Sequence, residues 1–367
     1  MEPYQKVFVD YDFLETIHGE IPCTDCHNGD PDEMDLKNAH LGIIRDPSYE
    51  NVLETCGGCH EDISTDAENS LHYSLQPYRE KIYRRAGFSL DKSNGALDLA
   101  MKNHCSSCHS SCGQCHVSRP VSVDGGLVDN HFFFKKPPME TNCTSCHGSR
   151  LEKEYTGKNP NVAADVHFQK KAMQCTGCHT ALEMHETTKA GIDMKNVENS
   201  PQCLSCHETL TESGEYIEIH KTHVPNVACQ VCHSMPYKNC YGCHVGKDAK
   251  GLPYFQLDKS EMNFKIGKNL HPTDKNPATF VIVRHVPVNR NIFDFYGKNL
   301  LPDFNSLPTW KFSSPHNIQR KTPQNEKCNN CHGNSELFLT EKDIMRDEIK
   351  ANKDIYLNKD QLPKAIN

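Results

Sequence analysis

Apolar residues in this chain come in short, interrupted runs. The longest, Ala278–Val283 (ATFVIV), is β-branched and reads as a strand, ended by Arg284 and His285. Pro287 and Asn289 punctuate the next stretch, and Gly297, Pro302 and Pro308 mark turns further on. Gly125–Gly126 and Pro137–Pro138 mark earlier loops. Near the C-terminus Thr340 suits an N-cap, with Glu341 and Asp343 in the first turn, and Met345, Ile349 and Tyr356 come after it at helix-compatible spacing. That pattern predicts a helix from about Glu341 to Asn352 that packs on the body. Elsewhere the pattern predicts short helical turns and much irregular chain. No run approaches the roughly 20 apolar residues that cross a bilayer, so no transmembrane segment is expected.

Composition deepens the puzzle. Only 36% of the 367 residues are hydrophobic, mean hydropathy is −0.68, and Trp310 is the single tryptophan. A chain this long would ordinarily build two or three domains of roughly 150 residues. So little aliphatic material points to disorder unless something else supplies a core.

The cysteines name that something. All 20 fall in ten Cys-x-x-Cys-His motifs. The first five are Cys23, Cys26 and His27 (CTDCH); Cys56, Cys59 and His60 (CGGCH); Cys105, Cys108 and His109 (CSSCH); Cys112, Cys115 and His116 (CGQCH); and Cys143, Cys146 and His147 (CTSCH). The second five are Cys175, Cys178 and His179 (CTGCH); Cys203, Cys206 and His207 (CLSCH); Cys229, Cys232 and His233 (CQVCH); Cys240, Cys243 and His244 (CYGCH); and Cys328, Cys331 and His332 (CNNCH). This is the attachment signature of c-type haem: the thiols add across the porphyrin vinyls and the adjacent imidazole takes the iron. Structural zinc needs two Cys pairs per ion and has no use for His in the next position every time. A disulfide framework leaves that position free to vary, and a thioredoxin-like motif occurs once. Ten covalently bound c-type haems are expected, about one per 37 residues.

These motifs set the fold class: mostly irregular chain with short α-helices wrapped around a stacked haem chain, low regular secondary structure, and a small β element around 278–288. From first cysteine to first cysteine the intervals are 33, 49, 7, 31, 32, 28, 26, 11 and 88 residues. Most describe one haem per roughly thirty residues. The intervals of 7 and 11 predict two intimately packed haem pairs, at Cys105/Cys112 and Cys229/Cys240. The interval of 88 leaves room for a haem-free subdomain. Residues 1–245 thus read as a nine-haem wrapping region, 246–327 as a β/loop insertion, and 328–367 as the tenth haem with a C-terminal helix and tail.

Twelve histidines lie outside the motifs: His18, His40, His72, His104, His131, His167, His185, His220, His223, His271, His285 and His316. Every long interval holds at least one and the two short ones none, the pattern expected if each module supplies a distal imidazole. Any single histidine is more simply a surface or core residue; twelve for ten irons favour ligation, with two surplus that the sequence does not identify. His220 and His223 stand just ahead of Cys229, and His18 just before Cys23, while His131 and His167 have aromatic neighbours suited to porphyrin edges. Two imidazoles fill the iron's coordination and leave no substrate position. A Met ligand would raise the potential, but the ten methionines read as gap-fillers.

On these motifs the chain resembles the large multihaem c-type cytochromes of anaerobic respiration. The CSSCHSSCGQCH pair and the HKTHVPNVACQVCH run are similar to segments of octahaem tetrathionate reductase-like cytochromes. That resemblance implies, as the alternative function, reduction of a nitrogen or sulfur oxyanion at one five-coordinate haem. Those enzymes use a CxxCK motif or an open iron, and no CxxCK occurs here. The chain resembles extracellular electron-transfer and filament-forming cytochromes more closely. It is therefore expected to be an electron-transfer protein rather than an enzyme, an exported decahaem conduit acting with other redox proteins or extracellular acceptors. The expected location is extracellular or at the cell surface, with the periplasm as the alternative, because c-type attachment takes place outside the cytoplasmic membrane; a signal peptide is inferred to have been removed. The formal charge of −8 argues against nucleic acid. Haem motifs near both chain ends also raise head-to-tail self-assembly. Leu357, Leu362, Pro363 and Ile366 would dock on another copy or else cover their own tenth haem.

Overall fold

The computed structural model describes residues 9–49, 52–89, 92, 94–106, 110–186, 198–210, 212 and 216–366. Regular structure is sparse, in short helices joined by irregular chain with two small sheets. Cys108 and His109 of the third motif lie outside the described residues. None of the described helices is long and apolar enough to cross a membrane.

The chain divides into two units and passes between them repeatedly. The first is built from Met1–Gln76, Cys105–Gly148 and Cys175–Ala190, the second from Pro77–His104, Ser149–Gln174 and Gly191–Asn367. Motifs one to six fall in the first unit, seven to ten in the second. The first unit is held by local polar geometry. Asp46 accepts from the Ser48 and Ser111 hydroxyls at 2.6 and 2.9 Å, and the Ser48 hydroxyl takes the Gly113 amide at 2.6 Å. Asn142 donates to the carbonyls of Gln114 and Ser118, each at 2.8 Å. These bonds seat the helix Cys112–His116 with its orphan amides satisfied.

The second unit has an apolar core. Strands β1 (Tyr237–Lys247) and β2 (Pro253–Asn263) form an antiparallel pair; β3 (Lys265–Lys268), β4 (Phe280–His285) and β5 (Trp310–Phe312) form an antiparallel sheet with β4 central. Strand β4 is the β-branched run read from the sequence. It is apolar without alternation because both its faces are covered. Ile282 packs with Tyr237, Ile266, Phe338 and Leu357, while Val281 and Val283 pack with Trp310, Leu339, Ile344 and Ile355. A strand buried on two faces has no position to spare for a polar side chain.

Two expectations fail here. The predicted helix 341–352 is three short turns: 3-10 turns at Glu341–Asp343 and Arg346–Glu348, and an α-turn at Ile349–Asn352. Thr340 does start it, its amide and hydroxyl both donating to the Asp343 carboxylate at 2.9 and 2.8 Å. The break falls at Ile344 and Met345, which are extended. Ile344 lies outside the expected helical stripe, yet it is buried in the sheet core while Met345 stays exposed. Tertiary packing overrode local periodicity.

The ninth motif is also not a helical turn but part of β1. Gly242 has φ of +52° in mid-strand, and the register runs unbroken past it, with Tyr241↔Lys259 and Cys243↔Leu257 on either side of Gly242 and the opposing Asp258. A Cβ there would meet the Asp258 carboxylate at 2.2 Å.

The C-terminal tail folds back on its own tenth motif. Gly333 donates to the Pro363 carbonyl at 2.8 Å, and Asn329 and Ile366 exchange two bonds of 2.8 Å. Leu357 is buried in the core of its own unit.

Because Ile282 is fully buried between two packed layers, Ile282→Ala should cost about 2–5 kcal/mol. Denaturant unfolding of the haem-loaded protein followed by far-ultraviolet circular dichroism checks this; a change under about 1 kcal/mol would contradict the packing described.

Candidate haem attachment and ligation sites

In a helical turn the two cysteines, three apart, and the adjoining histidine fall on one side. Helices at Cys23–His27, Cys112–His116 and Cys229–His233 present their motifs this way, as do Cys328–Cys331 and the 3-10 turns at Cys175–Gly177 and Cys203–Ser205.

The informative geometry is between imidazoles. Among the described residues, seven motif histidines each face one non-motif histidine. In the first unit the pairs are His27–His131 and His18–His60, both 6.3 Å between ring centres, with His72–His147 and His116–His185, both 6.2 Å. In the second unit they are His167–His207 at 6.1 Å, His220–His233 at 6.3 Å and His223–His332 at 6.2 Å.

The separation holds while the interplanar angle runs from 22° for His18–His60 to 82° for His223–His332. Other ring pairs scatter widely instead, from His18 on Phe133 at 4.0 Å through Tyr241 on His285 at 4.8 Å to Phe13 and Phe133 at 6.3 Å. A constant gap at every tilt fits two nitrogens directed at one atom between them. Metal–imidazole bonds of about 2.0–2.1 Å, with about 1.1 Å from each nitrogen to its ring centre, span about 6.3 Å. The residues present therefore fit an iron held by two imidazoles.

The outward nitrogens agree. His27, His116, His233 and His332 direct Nδ1 at the carbonyls of Ile44, Phe134, Gln319 and Lys364, at 2.7, 2.6, 3.1 and 3.3 Å. His223 does the same to Ile219 at 2.9 Å, and His167 Nδ1 bonds Asp165 at 3.0 Å. Each bond puts the ring proton on Nδ1 and leaves the Nε2 lone pair for a metal. Burial acts on three of the non-motif rings. It pushes His72 down to about 4, helped by His147 and His179, and it lowers His18 and His185 with smaller contributions from His60 and His116. A neutral imidazole is the state a metal requires.

Pairing does not keep to sequence order. His131 faces the first motif, His18 the second, His185 the fourth and His72 the fifth. His220 and His223, one turn apart on the helix Ile217–His223, face the histidines of the eighth and tenth motifs although 88 residues separate the ninth and tenth. Thiol neighbours share the same layout. Cys143 bonds Cys175, which lowers it to about 7, and Cys229 bonds Cys203, which does the same. Burial raises Cys232 to about 11, with Cys331 the next contributor. The thiols meeting those of the eighth motif thus come from the seventh and tenth motifs.

Five non-motif histidines stand outside the seven pairs. His40 is exposed, with Nδ1 on the Leu36 carbonyl at 2.7 Å, His271 is exposed, and His316 bonds the Ser314 carbonyl through Nδ1 at 2.9 Å. His104 and His285 are each 2% exposed and use Nε2 otherwise, on the Tyr296 hydroxyl at 2.7 Å and on Glu348 at 3.1 Å. Among the described motif histidines, His244 turns its Nε2 to the Asp258 carboxylate, 3.0 Å away. His179 bonds Glu183 through Nδ1 at 2.8 Å. The orienting carboxylates Asp165 and Glu183 were not singled out in the sequence; only their spacing of two and four residues from a histidine signals them.

Residues 160–234 match the family described as cytochrome c7 and related cytochrome c. The match spans the sixth, seventh and eighth motifs with His167, His185, His220 and His223. No curated protein and no solved structure matches the chain. The family match, with the motifs, supports a multihaem c-type cytochrome of the electron-transfer class that carries covalent c-type haem.

His72→Ala should leave His147 without its partner and turn about one iron in ten high-spin, by loss of one axial imidazole. Electron paramagnetic resonance of the oxidised protein checks it; an unchanged low-spin spectrum would break the pairing.

Proposed function

We propose that this chain is an exported decahaem c-type cytochrome that conducts electrons along haems ligated by two histidines. The observation that carries the reading is the set of imidazole pairs held 6.1–6.3 Å apart at every tilt. Bound haem supplies one-electron chemistry, and an iron with two imidazoles has no position for a substrate. The chain's own work is placement. Carbonyls orient the rings through Nδ1, burial keeps His72 neutral, and the helix carrying His220 and His223 holds the eighth and tenth sites side by side.

The two surplus histidines are His104 and His285, whose Nε2 atoms are engaged in buried side-chain bonds. Ten remain for ten irons, and of these His40, His271 and His316 lie outside the seven pairs seen among the described residues. Multihaem c-type cytochromes act outside the cytoplasmic membrane, so the partners are other redox proteins or extracellular acceptors. Extension head to tail into a filament would draw on the exposed imidazoles of His40 and His271 rather than on the tail, which is occupied with its own tenth motif.

A second reading has one observation in its favour. His244 lies against Asp258 rather than opposite another imidazole, and an open ninth iron would suit reduction of a nitrogen or sulfur oxyanion.

The intact mass should exceed the 41.6 kDa polypeptide by ten haems, and a smaller excess would show that some motif carries none. The oxidised protein should be low-spin throughout and indifferent to nitrite, hydroxylamine or tetrathionate, and His104→Gln and His285→Gln should keep the full low-spin complement. A high-spin signal that moves with one of those anions would promote the reductase.

A further inference from the structure

Four consecutive residues, His131–Phe134, meet histidines of three attachment sites within the first unit. His131 faces His27 of the first motif at 6.3 Å between ring centres. Phe133 stacks on His18, the imidazole that faces His60 of the second motif, at 4.0 Å and 10° between planes. Phe134 clamps His116 of the fourth motif through its main chain. Its amide donates to the His116 carbonyl at 2.7 Å, and its carbonyl accepts from His116 Nδ1 at 2.6 Å.

Side chains of an extended segment alternate in direction, and the contacts follow that rule. His131 and Phe133 both meet Phe13, at 5.5 and 6.3 Å, while Phe132 and Phe134 meet each other at 5.1 Å. Phe13 lies on the short helix Tyr11–Leu14, whose cap Asp10 also accepts from the Asn130 side chain at 3.5 Å. Phe133 is therefore held by the clamp at Phe134 on one side and by Phe13 on another. Although it is among the exposed apolar residues, one face of its ring is taken by His18.

His18 needs such a contact. The rings of His27, His116, His233 and His332 are oriented by Nδ1 bonds to carbonyls. The His18 ring makes no hydrogen bond among the described residues; its ring contacts are Phe133 and His60. We infer that Phe133 is the positioning residue of the second haem site: its ring fixes the plane of His18, the task that an Nδ1 bond performs elsewhere, and its face biases that site toward the oxidised state. An outer contact that orients a ligand also tunes the metal it serves. An imidazole bound to iron shares the metal's positive charge, more so when the iron is oxidised, and the face of a phenyl ring attracts positive charge. The inference rests on the ligation by two imidazoles proposed above.

The test compares haem-loaded wild type with Phe133→Leu, which removes the ring, and Phe133→Tyr, which keeps it. Intact mass fixes the haem content. Phe133→Leu should remain low-spin, with one set of electron paramagnetic resonance g values moved, because the His18 plane is released from its 22° angle to His60. The same iron should become easier to reduce, its oxidised-to-reduced ratio at a fixed potential falling about twofold to fivefold in a potentiometric titration. Phe133→Tyr should keep both the g values and the couple of the wild type. Spectra and couples unchanged in Phe133→Leu, or moved equally by Phe133→Tyr, overturn the role of Phe133. His18→Ala reads the ligation separately: it should add one high-spin iron, and without that change the His18–His60 pair itself is overturned. If Phe133→Leu loads fewer than ten haems, Phe133→Met carries the same comparison.

Discussion

Two imidazoles facing one another across a fixed gap of 6.1–6.3 Å form the constraint on which the rest of this protein depends. All pairs but His220–His233 join segments 40 or more residues apart in the chain. His27 meets His131, and His223 meets His332. Closing such loops costs entropy that grows only slowly with their length, and on the proposed function a metal bond formed in the folded state alone would offset it. A chain with few aliphatic residues can then hold its shape by cofactor cross-links. The carbonyls that receive Nδ1 matter as much as the rings they hold, because they decide which nitrogen is free.

The two units use this economy differently. The first holds six motifs among short capped helices and side-chain to backbone bonds, such as those of Asp46 and Asn142. The second adds an apolar body around β4, on which the ninth and tenth motifs are mounted. There the ninth motif gives up the helical turn. Tyr241, inside the motif, stacks on His285 and meets Trp310 edge-on, so the attachment segment is fastened to the core by its own intervening residue.

His104 and His285 show why residue counts overstate ligand counts. Both are deeply buried, as a ligand would be. Yet His285 shares Glu348 with Thr309, whose hydroxyl donates to that carboxylate at 2.7 Å, and His104 shares the Tyr296 hydroxyl with Asn103. Such buried groups are stable only when hydrogen-bonded, and these bonds occupy the Nε2 atoms that iron would need.

By itself the sequence determined the local chemistry. The CxxCH spacing marks attachment points because two thioethers and an imidazole must fall on one haem, and the run ATFVIV is a strand because only a strand buried on both faces needs it. Thr340 and Asp343 are a legible cap because capping is a three-residue matter. Everything that depends on distant segments was decided in three dimensions. Which histidine faces which motif leaves no trace in spacing, since His18, His131 and His185 all reach motifs other than the nearest in order. The break at Ile344 and the strand at Cys240–His244 were equally hidden, because the sheet core rather than local periodicity claimed those residues.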